Sequence, residues 1–312
     1  MERLTTIPEL RERLAPVRRR GETIGLTPTM GALHEGHLTH VRRLRELADT
    51  VVVSIFVNPT QFGPDEDFDA YPRDLEGDEE KLAGLADLVW APAVDEMYPD
   101  GDIATTVSVE GLTEVLEGEH RPGHFDGVTT VVSKLLHQVQ PDLVTFGRKD
   151  FQQLAVVRRM MTDLDMAPRI VEIPIVREDD GLAMSSRNRY LDEDERAAAL
   201  ALSRGLRDAV EESRAARERG DRPSVEVLHD AAAGTLAAEP LATIDYVAVV
   251  DPATLRPPTD IGQDHTADAG EDGASRRLLV ATAAHVGPAR LIDNVVIGDE
   301  EDEERLLEAT AP

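Results

Sequence analysis

The sequence predicts an α/β chain, with a parallel-sheet domain followed by a smaller α+β domain. Three observations carry that expectation. Short β-branched runs alternate with helix-period segments from Glu22 to Val176, and crossover units of that kind build parallel sheets. The run TVVVSIFV, Thr50 to Val57, is β-branched and almost continuously apolar, as a strand covered on both faces requires. From Arg177 onward the order changes to two helices and then three strands, the pattern of a small α+β domain. The expected divisions are 1–176, 177–298 and an acidic tail over 299–312.

The elements follow in order. Glu22 to Thr27 reads as a strand closed by the turn residues Pro28 and Gly31, and a helix runs from about Gly36 to Ala48. Thr50 to Val57 is a strand that Asn58-Pro59 terminates. Leu75 to Leu85 reads as a helix, Asp87 to Ala91 as a short strand, and an irregular stretch follows. Gly127 to Val139 is helical, Asp142 to Phe146 a strand, Asp150 to Leu164 a helix and Ile170 to Val176 a strand. In the second region Asp192 to Arg219 is a long helix whose acidic first turn suits the helix dipole, and Ser224 to Ala237 is a second. Three strands are expected at Thr243 to Val250, Arg277 to Thr282 and Ala289 to Val296. The Gly-, Pro- and Asp-rich segment 257–275 reads as a solvated, mobile insertion, and the six acids Asp299 to Glu304 as a disordered tail.

Composition narrows the function. The chain has 312 residues, 61 acidic against 33 basic, and a net charge of −28, which argues against nonspecific nucleic-acid binding and against docking on anionic membranes. Cysteine is absent, so disulfides, thiolate metal sites and cysteine nucleophiles are excluded together. Met1 to Gly21 is charged and lacks an apolar h-region, and no stretch reaches the ~18 apolar residues of a membrane span. The expectation is a cytoplasmic protein with neither nucleic-acid nor membrane partners. Only Lys81, Lys134 and Lys149 are lysines; the rest of the basic residues are arginines. Acid excess with so few lysines is the pattern of proteins that work in concentrated salt, while a GC-rich genome would account for the arginine but not the acid.

The first informative motif is TPTMGALHEGH, Thr27 to His37, between a strand and a helix. His34 and His37 are three apart and share a face of the first helical turn. A zinc-protease reading fails because Leu38 stands where His-Glu-x-x-His needs its second histidine. A structural pair of helix-end histidines remains open. So does a nucleotide site, in which Gly31 and Gly36 admit a phosphate close to backbone and a helix N-terminus receives it. No P-loop sequence occurs. The second motif, Met184-Ser185-Ser186-Arg187, offers two hydroxyls and a guanidinium for a triphosphate, or else a Ser-rich capping turn.

A His-x-Gly-His element followed about 150 residues later by such a Ser-Ser element resembles the nucleotidyltransferase superfamily of the class I aminoacyl-tRNA synthetases. The strings PTMGALHEGH, SIFVNPTQFGPDEDFDAYPR, RPGHFDGVTTVVSKLL, FGRKDFQQL and MSSRNRYL occur in that order, and together they resemble the pantoate–β-alanine ligase (pantothenate synthetase) family. The resemblance is dense from Thr23 to about Leu191 and continues through IDYVAVVDPATL and ARLIDN. The segment 257–275 and the acidic tail are additional to the pattern, and Arg148 stands where the family more often has Glu or Gln.

The resemblance implies a Rossmann-like first domain, a lid-like second domain, a homodimer, and the ATP-dependent joining of pantoate to β-alanine. The carboxylate of pantoate would attack the α-phosphorus of ATP, and the amine of β-alanine would then displace AMP from the acyl adenylate. Neither step needs a covalent enzyme nucleophile; both need positioned reactants and stabilised phosphoryl charge. By motif match Met30, Gly31, Ala32, Leu33, His34, Glu35, Gly36 and His37 line the ATP site, with His37 the catalytic donor. Gly147, Arg148, Lys149 and Asp150 add a second phosphate loop, in which Asp150 either caps a helix or helps hold Mg²⁺. Val176 would touch adenine, and Met184, Ser185, Ser186 and Arg187 would close over the phosphates. Gln61, supported by Asn58, would bind pantoate and β-alanine, and Gln153 would bind pantoate. Mg²⁺ on ATP is the expected cofactor, with no protein ligand for it fixed. Arg121 and His124 stay open between approaching the phosphates or the dimer-facing side of the site and a structural role. Two rivals remain: a nucleotidyltransferase that stops at the adenylate, and a nucleotide-binding module without catalysis.

Overall fold

The computed structural model describes residues 1–64, 68–101, 103–258 and 277–310. The chain divides into two compact units, Met1–Pro174 and Ile175–Pro312, each with its own core. The insertion expected over 257–275 falls outside the described residues except for Pro257 and Pro258.

The first unit is a six-stranded parallel sheet of β1 (Glu2–Leu4), β2 (Ile24–Thr29), β3 (Thr50–Ile55), β4 (Leu88–Trp90), β5 (Leu143–Gly147) and β6 (Arg169–Ile173). Its spatial order is β1-β4-β3-β2-β5-β6. From β2 the chain moves outward one way to β3 and β4, then crosses back to β5 and continues to β6. The strand order therefore reverses between β2 and β5, and open α/β sheets bind ligands outside the carboxyl ends of strands at such a point.

Helices cover both faces. Leu10, Leu14 and Val17 of α1 (Ile7–Arg19) share one core with Val52, Trp90 and the buried side of α6 (His124–Val139) and α7 (Phe151–Asp163). Val41 and Leu44 of α2 (Glu35–Arg45) and Leu82 of α3 (Leu75–Leu82) share the other with Val51 and Val53. Val51, Val52 and Val53 thus alternate between two cores, which is why TVVVSIFV is apolar at consecutive positions. Two one-turn helices, α4 (Val94–Met97) and α5 (Glu117–His120), lie in the stretch expected to be irregular.

The second unit packs α8 (Glu193–Glu218) and α9 (Val225–Ala237) on an antiparallel sheet of β7 (Ala242–Val250), β8 (Leu278–Val286) and β9 (Ala289–Ile297). Asp192 caps α8 in a capping box with Glu195. The acidic tail is corrected here: Asp299 caps a helix, α10 (Glu300–Ala309). Asp302 and Glu303 are buried in it, because Asp302 accepts the Val296 N–H at 2.8 Å while Glu303 accepts the Gly298 N–H at 2.9 Å and pairs with Arg217 at 2.7 Å. Among the described residues no helix is long and apolar enough to cross a membrane.

Candidate active site

The loop after β2 is built to a narrow specification. Gly31 and Ala32 are both left-handed, at φ +86° and +53°. Gly31 N–H donates to Thr29 Oγ1 at 3.2 Å, and Thr29 Oγ1 donates to the Ser54 carbonyl at 2.7 Å, which anchors the loop to β3. The next two N–H groups, of Ala32 and Leu33, donate to the two carboxylate oxygens of buried Asp78 at 2.8 and 2.7 Å. A left-handed alanine costs about 1–2 kcal/mol, whereas a hydrogen bond to a charged group contributes about 1.5–3 kcal/mol. The carboxylate therefore outweighs the strain.

α2 begins immediately afterwards, with His34 as its N-cap residue in extended conformation. The two imidazoles stack, ring centroids 4.1 Å apart, and the His34 N–H donates to His37 Nδ1 at 3.4 Å. That bond fixes a tautomer: with Nδ1 accepting, a neutral His37 carries its proton on Nε2. Burial holds the His37 pKa well below the ordinary histidine value, and the neighbouring His34, His40, Lys149 and Lys81 push it the same way. His40, one turn further on, is pushed down to about 4, chiefly by burial, with the Asp150 carboxylate opposing and His34 adding to the shift.

The loop after β5 meets this helix. A Cβ on Gly147 would lie 3.2 Å from His40 Nε2, a tight approach, so a larger residue there would have to displace that ring slightly. Lys149 and Asp150 follow in a 3₁₀ turn, Arg148–Asp150, that leads into α7. Asp150 stands at the N-cap position of α7 but makes no side-chain capping bond, so the capping alternative fails. The guanidinium of Arg148 reaches Glu172 on β6 at 3.3 Å.

Gln61 sits in a 3₁₀ turn, Pro59–Gln61, after β3. Buried Asn58 donates to Gln61 Oε1 at 3.2 Å and to the Gly127 carbonyl at 3.1 Å, and Tyr98 OH donates to Asn58 Oδ1 at 2.8 Å. The Gln61 amide then lies against Met30 Sδ at 3.0 Å, which joins this turn to the β2 loop. Arg121 and His124 meet the same turn: His124 Nδ1 donates to the Gln61 carbonyl at 2.7 Å, and Arg121 stands 3.1 Å from His124 Nε2. Gln153 lies in the first turn of α7, while its neighbour Gln152 is buried and spends its amide on Leu112, Val115 and Glu117 backbone.

The sequence-predicted residues of the first unit are thus gathered at one end of the sheet: Met30 to His37 after β2, Gln61 after β3, and Gly147 to Asp150 after β5. Two of them face elsewhere with their side chains. Glu35 is exposed and paired with Arg42, and Arg148 pairs with Glu172. Asp78, Lys81 and His40 carry no motif signal and were outside the sequence expectation; only proximity across the fold identifies them.

In the second unit, Val176 and Met184 are the stem of a short hairpin in which the Met184 N–H donates to the Val176 carbonyl at 2.9 Å and Arg177 bridges Ala183. Ser185 accepts the Arg187 N–H at 3.2 Å and so caps the 3₁₀ turn Ser186–Tyr190. α8 has its own cap, so the serine turn serves the loop and not that helix.

Residues 2–296 match the protein family described as Pantoate-beta-alanine ligase. A pantothenate synthetase of Moorella thermoacetica is 53% identical over 298 residues, 95% of this chain and 99% of the relative. The crystal structure of pantothenate synthetase from Thermus thermophilus is similar at a TM-score of 0.82 and 46% identity, with 95% of this chain and 99% of that one covered. A pantoate-beta-alanine ligase from Francisella tularensis, described as complexed with beta-gamma ATP and β-alanine, is similar at a TM-score of 0.71 and 29% identity, over 95% of this chain and 97% of that one.

Proposed function

The chain belongs to the pantoate–β-alanine ligase family and is a ligase that condenses pantoate with β-alanine at the expense of ATP; we propose that its reaction centre is the crevice between the carboxyl ends of β2 and β5. The observation that carries this assignment is the convergence of the His34–His37 pair with Lys149 at the strand-order reversal.

In this reading Met30 to His37, with Glu35 taking part through its backbone alone, and Gly147 to Asp150 bind ATP, and the first N–H groups of α2, which have no intrahelical partner by position, receive phosphate oxygens. His37 acts as a neutral donor through Nε2–H, supplying a hydrogen bond to charge that grows on the phosphoryl oxygens, and Lys149 supplies fixed positive charge. Gln61, held by Asn58, orients pantoate so that its carboxylate attacks the α-phosphorus as pyrophosphate leaves. The same residue receives β-alanine, whose amine attacks the acyl carbon and expels AMP, with Gln153 also holding pantoate. Val176 and Met184 to Arg187 carry the adenine and phosphate contacts assigned to the second unit. The same proposal includes a homodimer and a cytoplasmic address.

The donor set fits a magnesium ion that arrives on ATP. Among the described residues no three His, Asp or Glu side chains cluster to hold a metal by themselves, and Mg²⁺ keeps mostly water and phosphate oxygens in such sites. Asp150, which makes no side-chain capping bond to α7, would be the carboxylate that contributes. Bound there, the ion would neutralise phosphate charge.

Release of AMP that depends strictly on both pantoate and β-alanine is the expected result of a coupled assay. AMP release with pantoate alone would indicate an enzyme that stops at the adenylate, and no turnover alongside ATP binding would indicate a binding module.

A further inference from the structure

Every site motif of the first unit can be written down without Asp78, yet the β2 loop takes its shape from that side chain. Asp78 lies on α3, 45 and 46 residues from the groups it binds. The Ala32 and Leu33 N–H groups converge on its carboxylate because Gly31 and Ala32 are left-handed in succession, a backbone concavity suited to an anion. The approach is close enough that a Cβ on Gly31 would sit 3.0 Å from Asp78 Oδ2. Lys81, one turn along α3, donates to the Leu33 carbonyl at 2.9 Å and stands 3.6 Å from Asp78 Oδ1. The loop therefore holds an internal anion where its own N–H groups would otherwise face a phosphate.

We propose that Asp78 is a positioning residue for nucleotide capture, which acts through the Gly31–Leu33 loop to aim His34, His37 and the first turn of α2. It touches no substrate. Its carboxylate satisfies the two N–H groups that precede the His34 N-cap, and Lys81 pins the intervening carbonyl, so the peptide planes leading into α2 have one orientation before ATP arrives. The pair does not compete with ATP for the loop; it reserves phosphate binding for the N–H groups of α2 and the two imidazoles. This inference rests on the reading of the crevice as the ATP site.

The test is calorimetric titration of the full-length protein with Mg²⁺-ATP and, separately, with pantoate. Asp78→Asn replaces one acceptor by an NH₂ group that faces an N–H. Its dissociation constant for ATP should rise about tenfold or more, with that for pantoate changed by less than about threefold. Ala32→Gly added to Asp78→Asn should recover part of the ATP affinity, because glycine adopts the left-handed conformation without the steric penalty. A role in general stability alone would weaken both ligands together. Lys81→Met, at a half-exposed position, should weaken ATP in the same selective way by a smaller factor, and it carries the test if Asp78→Asn does not fold.

Wild-type ATP affinity in Asp78→Asn overturns the proposal, as does parallel loss of both ligands. If Asp78→Asn does not fold, unchanged ATP binding in Lys81→Met overturns it instead. Wild-type protein that binds pantoate but not Mg²⁺-ATP would sink the reading of the crevice itself, a distinct result.

Discussion

Two of the loops that carry predicted site residues are braced by opposite means. The β2 loop, in the first unit, is organised around a buried anion: Asp78 gathers backbone N–H groups and leaves α2 to start with a pair of stacked imidazoles. The hairpin at 176–184, in the second unit, is organised around a buried cation. Arg177 donates to both oxygens of Asp293 at 2.6 and 2.9 Å and to the Gly181 carbonyl at 3.1 Å, with the two side chains 6% and 2% exposed. The anion gathers N–H groups from a loop with two successive left-handed residues, one of them alanine, whereas the bidentate arginine caps the carbonyl of a hairpin whose left-handed residue is a glycine, Gly181. The first brace shapes a surface for a ligand, and the second secures a stem to β9.

If the second brace is chiefly structural, breaking it should give the largest effect on stability. Arg177→Met leaves Asp293 buried without its partner, and losses of about 3–5 kcal/mol are typical of that change. Thermal unfolding should fall by roughly 10 °C. Arg177→Met with Asp293→Leu should regain most of the loss, because two apolar groups need no partner. A double variant no better than the single one would show that the geometry of the pair, not its charge, holds the hairpin.

The first brace should register in catalysis. His37→Ala and Lys149→Ala are each expected to slow adenylate formation by about 10²–10³ while pantoate affinity stays close to wild type, since a donor aimed at developing charge typically contributes that much. Single-turnover measurement of pantoyl adenylate reads this directly, and near-wild-type rates in both variants would remove the assigned roles.

Much of this arrangement is legible in the sequence because the sheet is. A run such as TVVVSIFV has no polar face, so it has one place to go, and the loops that follow such strands inherit their position at the carboxyl ends. The strings around His37, Gln61 and Lys149 then fall at those ends. α1 was also within reach: Thr6 and Glu9 form a capping box ahead of Leu10, Leu14 and Val17, but the charge of the segment masks the period. α10 was not. The run of six acids caps and opens a helix, with two of them met by Arg217 and by the backbone of Val296 and Gly298, contacts that only the fold supplies. Asp78 and His40 are similarly invisible, since a lone acid and a lone histidine acquire meaning only from a loop that lies far away in sequence.

His40 sharpens the comparison from behind the β2 loop. It is held neutral in the fold, with a pKa of about 4 against about 6.5 when unfolded, so the unfolded chain binds more protons between those values. Stability should therefore rise with pH through that window and level off above it. For His40 the difference between pH 5 and pH 7.5 is about 2 kcal/mol. His40→Leu should retain an acid-side loss from His37 but a smaller one than wild type, as chemical denaturation at the two pH values would show. An unchanged pH dependence would mean that the ring is hydrated in solution and not pressed against Gly147.

The smallest effect is expected from the acid that opens α2, just beyond the β2 loop. Glu35 follows Ala32 and Leu33 closely in sequence, yet its side chain is about half exposed and paired with Arg42 on the outer face of α2. An exposed pair of this kind contributes little, and a carboxylate in the first turn of a helix is favoured by the dipole whether or not a ligand binds. Glu35→Gln should accordingly change ATP affinity by less than about twofold, in contrast to the selective loss expected of Asp78→Asn. Titration of the two variants side by side separates burial from mere proximity. Equal losses would mean that negative charge anywhere near the loop tunes the site through the field alone, and the distinction between the buried brace and its exposed neighbour would collapse.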